Sequence, residues 1–337
     1  MTQMLGKQSI RFETPPYIEA SGSVVGKKEG EGPLGDLFDM VSEDDTFGCD
    51  CWEEAESTLQ KEAAALTMGK AGVKPEDVRY IFAGDLLGQT IATSFGIVNY
   101  EIPLFGLYGA CSTAGESMSL GAMCVAGGYA NRVLAMTSSH FASAEKQFRF
   151  PLEYGNQRPV SATWTVTGSG AFLLGTEKSH VKISGITTGK IMDYGVRDSM
   201  NMGAAMAPAA CDLIVQHFED FQTSPKDYDR IITGDLGYVG QEILLTLTKE
   251  RGYDISAVHT DCGIEIFDKD TQGTDSGGSG CGCSAVTMSA FFLPQIQRGE
   301  LKKVLFVPTG ALLSKISFNE GQTVPGIAHG VVLEYEA

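Results

Sequence analysis

Positive charge is scarce in this chain of 337 residues: 25 Lys and Arg stand against 42 Asp and Glu, which leaves a formal net charge of −17. Binding to nucleic acid needs a basic footprint, and attachment to an anionic lipid surface by charge needs clustered Lys and Arg. Long apolar runs are also lacking, because none approaches the ~18 residues of a membrane helix. Met1 to Arg11 contains no apolar stretch of the kind found in secretory signals. These absences argue against nucleic acid as a partner and against a membrane-spanning or secreted protein.

The composition is nevertheless that of a chain that folds around a core. Hydrophobic residues make up 43% of it and charged residues 20%, which is typical of a globular protein. Eight cysteines occur, including the pairs Cys49/Cys51 and Cys281/Cys283. The Cys-x-Cys spacing does not match that of usual zinc ligands, and no export signal precedes the cysteines. We therefore predict small buried thiols rather than a metal site or a disulfide framework.

The second half of the chain repeats the first. Residues 74–86 (KPEDVRYIFAGDL) match residues 224–236 (SPKDYDRIITGDL) at an offset of 150. The segment that ends in Cys111 matches the segment that ends in Cys281 at an offset of 170, and two further matches follow in the same order. Self-similarity in a constant order indicates an ancestral duplication. We place the two halves at residues 1–178 and 179–337.

Each half shows the same alternation of strands and helices. A strand opens each half, at Tyr17–Val25 and Val181–Thr187, and a helix follows, at Trp52–Met68 and Pro208–Phe218. A buried strand, a second helix, a second strand and a closing strand complete the unit. Strands that alternate with helices favour largely parallel sheets covered on both faces. We therefore predict an α/β fold with two stacked mixed, mostly parallel sheets in a five-layer αβαβα arrangement.

Several motifs resemble those of the thiolase superfamily. The segment Tyr108-Gly-Ala-Cys111-Ser resembles the nucleophile motif of thiolases and ketoacyl synthases. Residues 273–280 (GTDSGGSG) align with the thiolase motif Gly-His-Pro-x-Gly-Ala-Ser-Gly, and residues 202–209 (MGAAMAPA) are similar to the start of the second thiolase half. The resemblance implies a duplicated thiolase-like fold with Cys111 at the position of the nucleophile.

A narrower resemblance covers nearly the whole chain. Residues 32–39 (GPLGDLFD), 147–151 (QFRFP), 206–210 (MAPAA) and 327–332 (IAHGVV) resemble the stage V sporulation protein AD family. The resemblance implies a protein of endospore-forming bacteria that binds dipicolinic acid (pyridine-2,6-dicarboxylic acid). It also implies companion membrane proteins that load this acid into the developing spore, synthesis in the cytoplasm, and a peripheral place at the inner spore membrane.

The thiolase resemblance preserves the nucleophile position but not its partners. At a helix N-terminus, Cys111 would have a depressed thiol pKa, and it is either a nucleophile or a small residue chosen for close packing. Acyl transfer also needs a base and donors for the oxyanion. The usual His and second Cys positions are occupied by Thr274, Gly234 and Val307, none of which can act as a base. The remaining candidate partner is His140, whose alternative role is a hydrogen bond to loop backbone.

The implied ligand is a flat dianion, which needs donors on two sides and an apolar slot between them. Arg149 would clamp a carboxylate or be an exposed loop arginine, and Tyr154 would stack on the ring or anchor its loop. Asp235 would cap a turn or hold a calcium ion that travels with the ligand. The predicted ligand-binding residues are Cys111, Ser138, Ser139, His140, Arg149, Tyr154, Asp235, Gly278 and Ser279.

Three functions stay open at this stage. The first, which we favour, is a non-catalytic binding protein for dipicolinic acid. The second is a Cys-dependent acyltransferase or ketoacyl synthase that uses Cys111 with an unconventional partner such as His140. The third is a structural subunit with a vestigial cavity. We expect no resident metal or cofactor, with calcium entering only as the chelate of the ligand, and a homodimer paired through the strand equivalent to Val133–Thr137.

Overall fold

The two halves of the chain have the same architecture in the computed structural model, which describes residues 3–149 and 157–337. The elements of the first half are β1 (Met4–Leu5), β2 (Ser9–Arg11), β3 (Tyr17–Val25), α1 (Lys27–Gly30), β4 (Met40–Val41), α2 (Trp52–Ala71), β5 (Tyr80–Gly84), α3 (Ile91–Ile97), β6 (Leu104–Leu107), α4 (Thr113–Ala126), β7 (Arg132–Ser139), α5 (Phe141–Phe148), β8 (Trp164–Thr165) and β9 (Gly168–Gly175). The elements of the second half are β10 (Val181–Thr188), α6 (Met202–Phe221), β11 (Arg230–Thr233), α7 (Gly237–Glu250), β12 (His259–Asp261), α8 (Cys262–Glu265), β13 (Gly278–Ser279), α9 (Cys281–Thr287), α10 (Leu293–Gln297), β14 (Lys303–Val307), β15 (Thr309–Ala311), α11 (Lys315–Asn319) and β16 (Gly326–Tyr335). A π-helical segment, Met288–Phe292, joins α9 to α10.

Each half contributes five strands in the same order. The first sheet runs β3-β9-β7-β5-β6 and the second runs β10-β16-β14-β11-β12. In each sheet four strands point the same way and one, β9 or β16, is antiparallel to its neighbours. The two sheets meet at a single pair, Tyr17 with Lys182. This confirms the predicted mixed, mostly parallel sheets. The boundary placed at residue 178 falls between the end of β9 and the start of β10.

Helices cover both sheets and fill the space between them. The helix α2 packs on the outer face of the first sheet and α6 on the outer face of the second. Between the sheets, α4 contacts strands of both, and α9 contacts β3, β7 and β9 of the first sheet, while its Cys283 Sγ donates to the carbonyl of Gly234, just after β11 of the second. The central layer buries Met118 and Val286 from the two inner helices against Phe172 and Phe306 from the two sheets. The layers therefore alternate as helix, sheet, helix, sheet and helix, which is the predicted αβαβα arrangement. Among the residues that the structure describes, no helix has both the length and the apolar character needed to cross a membrane.

Element limits depart from the predictions mainly at helix ends. The helix α6 begins at Met202, six residues before the predicted start at Pro208, and keeps that proline in its interior. Its N-terminus is capped instead by Asn201, whose side-chain oxygen accepts from the amide of Ala204 at 3.2 Å. Proline is common in the first turn of a helix, but here the asparagine cap upstream sets the start and Pro208 lies in the helix interior.

The expected dimer strand is not an edge strand. Residues Val133–Thr137 belong to β7, which pairs with β5 on one side and β9 on the other along its length. A second copy cannot pair through it, so this part of the homodimer expectation is wrong. The outermost strand of the first sheet is β6, and its first three residues are exposed.

Candidate functional site

A cavity of about 420 Å³ lies between the two halves, beside Cys111. Residues from the first half, including Leu86, Tyr108 and Phe148, face residues from the second half, including Leu313 and Ile316. Its other lining residues are Ala110, Cys111, Ala144, Gln147, Arg149, Thr165, Met202, Ser279, Gly280, Ala311, Leu312, Ser314 and Lys315. The volume is that of a small-molecule site, and mostly apolar walls with a few polar groups are typical of one.

Cys111 sits in a tight turn that leads into α4. The preceding residue, Ala110, has a φ of 51°, in the left-handed region that non-glycine residues rarely adopt. Several hydrogen bonds hold this turn: Ser112 Oγ donates to the carbonyl of Gly109 at 2.7 Å, and Thr113 Oγ1 and Cys281 Sγ donate to the carbonyl of Ala110 at 2.6 and 3.0 Å. The helix α9, which begins at Cys281, thus braces the turn that presents Cys111 to the cavity.

A buried carboxylate stands behind the cavity floor. Cys111 Sγ lies 4.0 Å from Ser279 Oγ, and that hydroxyl donates to Asp235 Oδ2 at 2.8 Å. The amide of Gly280 donates to the same oxygen at 3.1 Å, and Thr309 Oγ1 donates to Asp235 Oδ1 at 2.7 Å. Burial raises the pKa of Asp235, and these donors oppose the rise. Asp235 lies just after β11, and its hydrogen bonds connect the end of that strand to β13, to the start of α9 and to β15. In the part of the chain that the structure describes, no group of three or more His, Cys, Asp or Glu side chains is arranged to hold a metal ion.

The environment of Cys111 opposes thiolate formation. Burial raises the pKa of the thiol well above its ordinary value, and the negative charge of Asp235 and the neighbouring Cys281 raise it further. The expectation that the start of α4 would depress this pKa is therefore wrong, because desolvation and a nearby carboxylate outweigh the helix dipole. At neutral pH Cys111 is a thiol.

The residues at the positions of the usual His and second Cys do not belong to the described lining of the cavity. Thr274 is buried and its carbonyl accepts from Gly277, Val307 lies in the core behind α6, and Gly234 donates to the carbonyl of Val307 at 3.1 Å. The described lining includes no histidine. The cavity thus presents Cys111 without a histidine among the described residues that line it.

The strand end that was expected to open toward the ligand is buried elsewhere. His140 caps α5: its Nδ1 accepts from the amide of Ala142 at 3.1 Å, and its Nε2 contacts the carbonyl of Asp45 at 2.6 Å. Nε2 therefore carries the proton, and burial lowers the pKa of the ring. His140 therefore has the alternative role, in which its ring nitrogens form hydrogen bonds with loop backbone. It does not line the cavity.

Ser138, Ser139 and Gly278 also lie outside the lining. Ser138 Oγ donates to Glu56 at 2.9 Å, and Ser139 Oγ donates to the carbonyl of Val166 at 2.7 Å. Gly278 pairs with Trp164 in the small sheet formed by β8 and β13. Of the predicted ligand-binding residues, the structure brings Cys111, Arg149 and Ser279 to the cavity, with Asp235 directly behind them. The predicted stacking residue Tyr154 lies outside the described residues.

Two parts of the cavity wall were not predicted from the sequence. Phe148 and Gln147 stand next to Arg149 at the end of α5, and their position in the same motif was a usable signal. Leu313, Lys315 and Ile316 come from the β15–α11 region, where neither charge pattern nor motif distinguished them. Only the folding of the second half over the first places them opposite α5.

The duplicated halves, the paired inner helices and the cysteine that starts one of them define a protein of the thiolase-like class. The 3-oxoacyl-[acyl-carrier-protein] synthase III from Aquifex aeolicus VF5 superposes with a TM-score of 0.60 over 95% of this chain and 100% of its own, at 13% identity. The priming β-ketosynthase of the R1128 polyketide pathway superposes with a TM-score of 0.56 over 98% of each chain, at 12% identity. At such low identity the likeness concerns the fold alone.

A family model described as stage V sporulation protein AD matches residues 6–334. Stage V sporulation protein AD of Bacillus subtilis (strain 168) is 43% identical over 332 residues, which are 98% of each chain. This chain belongs to the stage V sporulation protein AD family. That is the family the sequence motifs indicated, and the membership makes it a sporulation protein.

Proposed function

We propose that this protein binds dipicolinic acid in the cavity beside Cys111 and performs no chemistry on it. The observation that carries the proposal is the combination of apolar walls, an arginine on one wall and an uncharged thiol on the floor. Arg149 supplies a fork of donors for one carboxylate. Phe148 and Tyr108 supply aromatic surface for the ring. Ser279 also lines the floor, but its hydroxyl proton is directed to Asp235.

The proposal is tested by calorimetric titration with dipicolinate, using the full chain. We expect saturable binding that Arg149→Ala weakens at least tenfold, because a hydrogen bond to a charged group contributes about 1.5–3 kcal/mol. Arg298→Ala is the matched control, since Arg298 is exposed and pairs with Glu300 away from the cavity. Absence of heat with wild-type protein, or equal binding by the Arg149 and Arg298 variants, would contradict the proposal.

Calcium enters this proposal only with the ligand. The floor of the cavity is backed by Asp235, whose oxygens already accept from Ser279, Gly280 and Thr309. A calcium chelate of dipicolinate would bring a cation toward this carboxylate, where a free dianion would bring negative charge. We expect the chelate to bind at least as tightly as the free acid, and titration with and without calcium measures the difference.

Acyl transfer is the second candidate, because Cys111 faces a cavity between the halves at the start of a helix. It requires an acyl-enzyme, which intact-mass spectrometry would detect after incubation with acyl-CoA donors of several chain lengths. We expect no adduct on Cys111, because its thiol pKa is raised and no histidine lines the described part of the cavity. An adduct that disappears in Cys111→Ala would establish this function instead.

A vestigial cavity is the third candidate. Cys111→Trp would fill the floor without disturbing the charged cluster around Arg149. If the folded Trp variant supported spore loading as well as wild type, the cavity would be dispensable and the protein a structural subunit. We expect loss of dipicolinate binding and of loading together.

We also propose that the protein works peripherally with companion membrane proteins at the inner spore membrane. The support is membership of the sporulation family together with the acidic charge, which gives no general attraction to anionic lipid. Purified protein should sediment with membranes from sporulating cells and not with protein-free vesicles of the same lipids. Equal binding to both preparations would contradict a protein partner.

We propose that β6 is the strand through which a homodimer pairs. Residues 88–108 contain a single charged residue, Glu101, within an otherwise acidic chain. Phe95 and Phe105 of this region are 69% and 51% exposed, and an apolar edge strand favours pairing with another strand. Sedimentation should show a dimer that Phe105→Glu converts to a monomer. A wild-type monomer at micromolar concentration would refute it.

A further inference from the structure

One buried carboxylate in α5 serves two arginines. Glu145 Oε1 accepts from Arg149 Nη1, one turn later on the helix, and from Arg158 Nη1 at 3.1 Å. The side chain of Glu145 is only 4% exposed, so both contacts are sheltered from water. Arg149 lines the cavity, and Arg158 does not. The two guanidinium groups therefore compete for a single acceptor oxygen beside the proposed ligand.

Arg158 is held firmly on the far side of this carboxylate. Its Nη2 donates to the carbonyl of Thr163, and its guanidinium lies 5.2 Å from the centre of the Trp164 ring and 5.8 Å from that of Phe141. These two rings are stacked 3.8 Å apart. Asp275 lies 3.9 Å from Arg158 Nε. Because Phe141 and Glu145 are both on α5, these contacts also fix the helix that carries Arg149.

One donor of Arg149, its Nε, has no acceptor in the part of the chain that the structure describes. Both this atom and Glu145 Oε2 are buried, and Oε2 likewise has no hydrogen-bond partner among the described residues. Arginine and carboxylate groups normally form two parallel hydrogen bonds, which would use both of these atoms. Arg158 Nη1 also binds Oε1, one of the two oxygens that such a pair would use.

We infer that Arg158 is a positioning residue that holds Glu145 away from a bidentate pair with Arg149, so that Arg149 stays available to a ligand carboxylate. The inference rests on the proposed function for its ligand. It assigns a role to a residue that does not touch the cavity. It also makes Glu145 a competitor of the ligand rather than a part of the binding site.

Three variants test this inference: Arg158→Met, Glu145→Gln and their double variant. Methionine preserves apolar contact with Phe141 and Trp164 but cannot bind Glu145. Titrated with dipicolinate, Arg158→Met should bind about tenfold more weakly, as expected when one charge-assisted hydrogen bond is lost. The double variant should recover to within about threefold of wild type, because the neutral amide introduced by Glu145→Gln competes weakly for Arg149. A purely structural role of Arg158 predicts no such rescue.

A second measurement needs no ligand. Phenylglyoxal modifies accessible guanidinium groups, and peptide mass spectrometry reports the rate at Arg149. The rate should fall severalfold in Arg158→Met and return in the double variant, with Arg298 as the internal reference. Unchanged binding and unchanged labelling in Arg158→Met would overturn the inference, and so would weakened binding that Glu145→Gln fails to rescue. If wild type binds no dipicolinate, the proposed function fails, and the labelling series alone decides the role of Arg158.

Discussion

The buried carboxyl group of Glu29 should make the stability of this protein depend on pH, and it does so alongside other buried carboxyls, Glu56 and Asp261, whose pKa values burial also raises. Glu29 lies in α1 and is 1% exposed; its Oε1 accepts from the amide of Thr167 at 2.9 Å. Its Oε2 has no hydrogen-bond partner among the described residues. Burial raises the pKa of this group from 4.5 to about 7, and the hydrogen bond from Thr167 offsets only part of the rise. A group of this kind is protonated in the folded state at a pH where the unfolded chain has already ionised.

The sign follows from proton binding. Between pH 4.5 and about 7 the folded state holds a proton that the unfolded state has lost, so the free energy of unfolding falls as the pH rises. Each pH unit in this interval is worth about 1.4 kcal/mol, and the loss between pH 5 and pH 8 amounts to about 2–3 kcal/mol. Above the folded pKa the loss is complete.

Urea unfolding of wild type and Glu29→Gln from pH 5 to pH 8 measures this loss. Glutamine preserves the acceptor for Thr167 and does not titrate, so the variant should lose about 2–3 kcal/mol less than wild type across the range. Glu31→Gln is the matched control, because Glu31 is exposed and two residues away. Parallel pH profiles for wild type and Glu29→Gln would refute the reasoning, since they would mean that the buried group does not titrate in this range.

Three further predictions concern the site and the core. Iodoacetamide should alkylate Cys111 much more slowly at pH 8 than the exposed Cys51, and Asp235→Asn should speed the reaction at Cys111 by removing the negative charge that raises its pKa; equal rates in wild type and variant would contradict this. Gly310→Ala should cost about 1–3 kcal/mol of unfolding free energy and weaken dipicolinate binding, because an added Cβ would lie 2.6 Å from a backbone oxygen of the Cys111 turn; denaturant titration and calorimetry measure the two effects. Phe218→Ala should cost about 3–5 kcal/mol by opening a cavity between α6 and the second sheet, and a smaller loss in urea unfolding would show that the layer repacks.

The strands were the most predictable part of the fold. The predicted limits of Tyr17–Val25 agree with β3, and those of Val181–Thr187 fall one residue short of the end of β10, because both are largely buried runs. The duplication also predicted the layering, since each half repeats the same strand order. Helix ends were less predictable, as α6 shows, because a cap depends on one side chain and its local geometry.

The site was predicted only where a motif marked it. Cys111 and Ser279 lie in glycine-rich motifs whose backbone must approach the other half closely, and both reach the cavity. Ser138 and His140 were also predicted to bind the ligand, but they lie at the end of β7 and are not among the residues that line the cavity. They instead satisfy buried partners in other layers, Glu56 and the carbonyl of Asp45. Which face a residue presents after a strand depends on the neighbouring helix, and the sequence carries no signal for that.

The repeat points to a packing role for the cysteine at position 111 that does not require a nucleophile. Cys111 and Cys281 occupy equivalent positions, each at the start of an inner helix, and Cys281 is fully buried with its thiol bonded to the turn of Cys111. No ligand reaches Cys281, so its small side chain serves the packing where the two halves meet. The same steric requirement acts on Cys111, with the difference that one side of it faces the cavity. Burial raises the pKa of both thiols, so Cys111 presents an uncharged side chain to the cavity that Arg149 also lines. A thiolate at this position would repel a dicarboxylate, so the conditions that disfavour acyl transfer are the ones that suit the binding of a dianion.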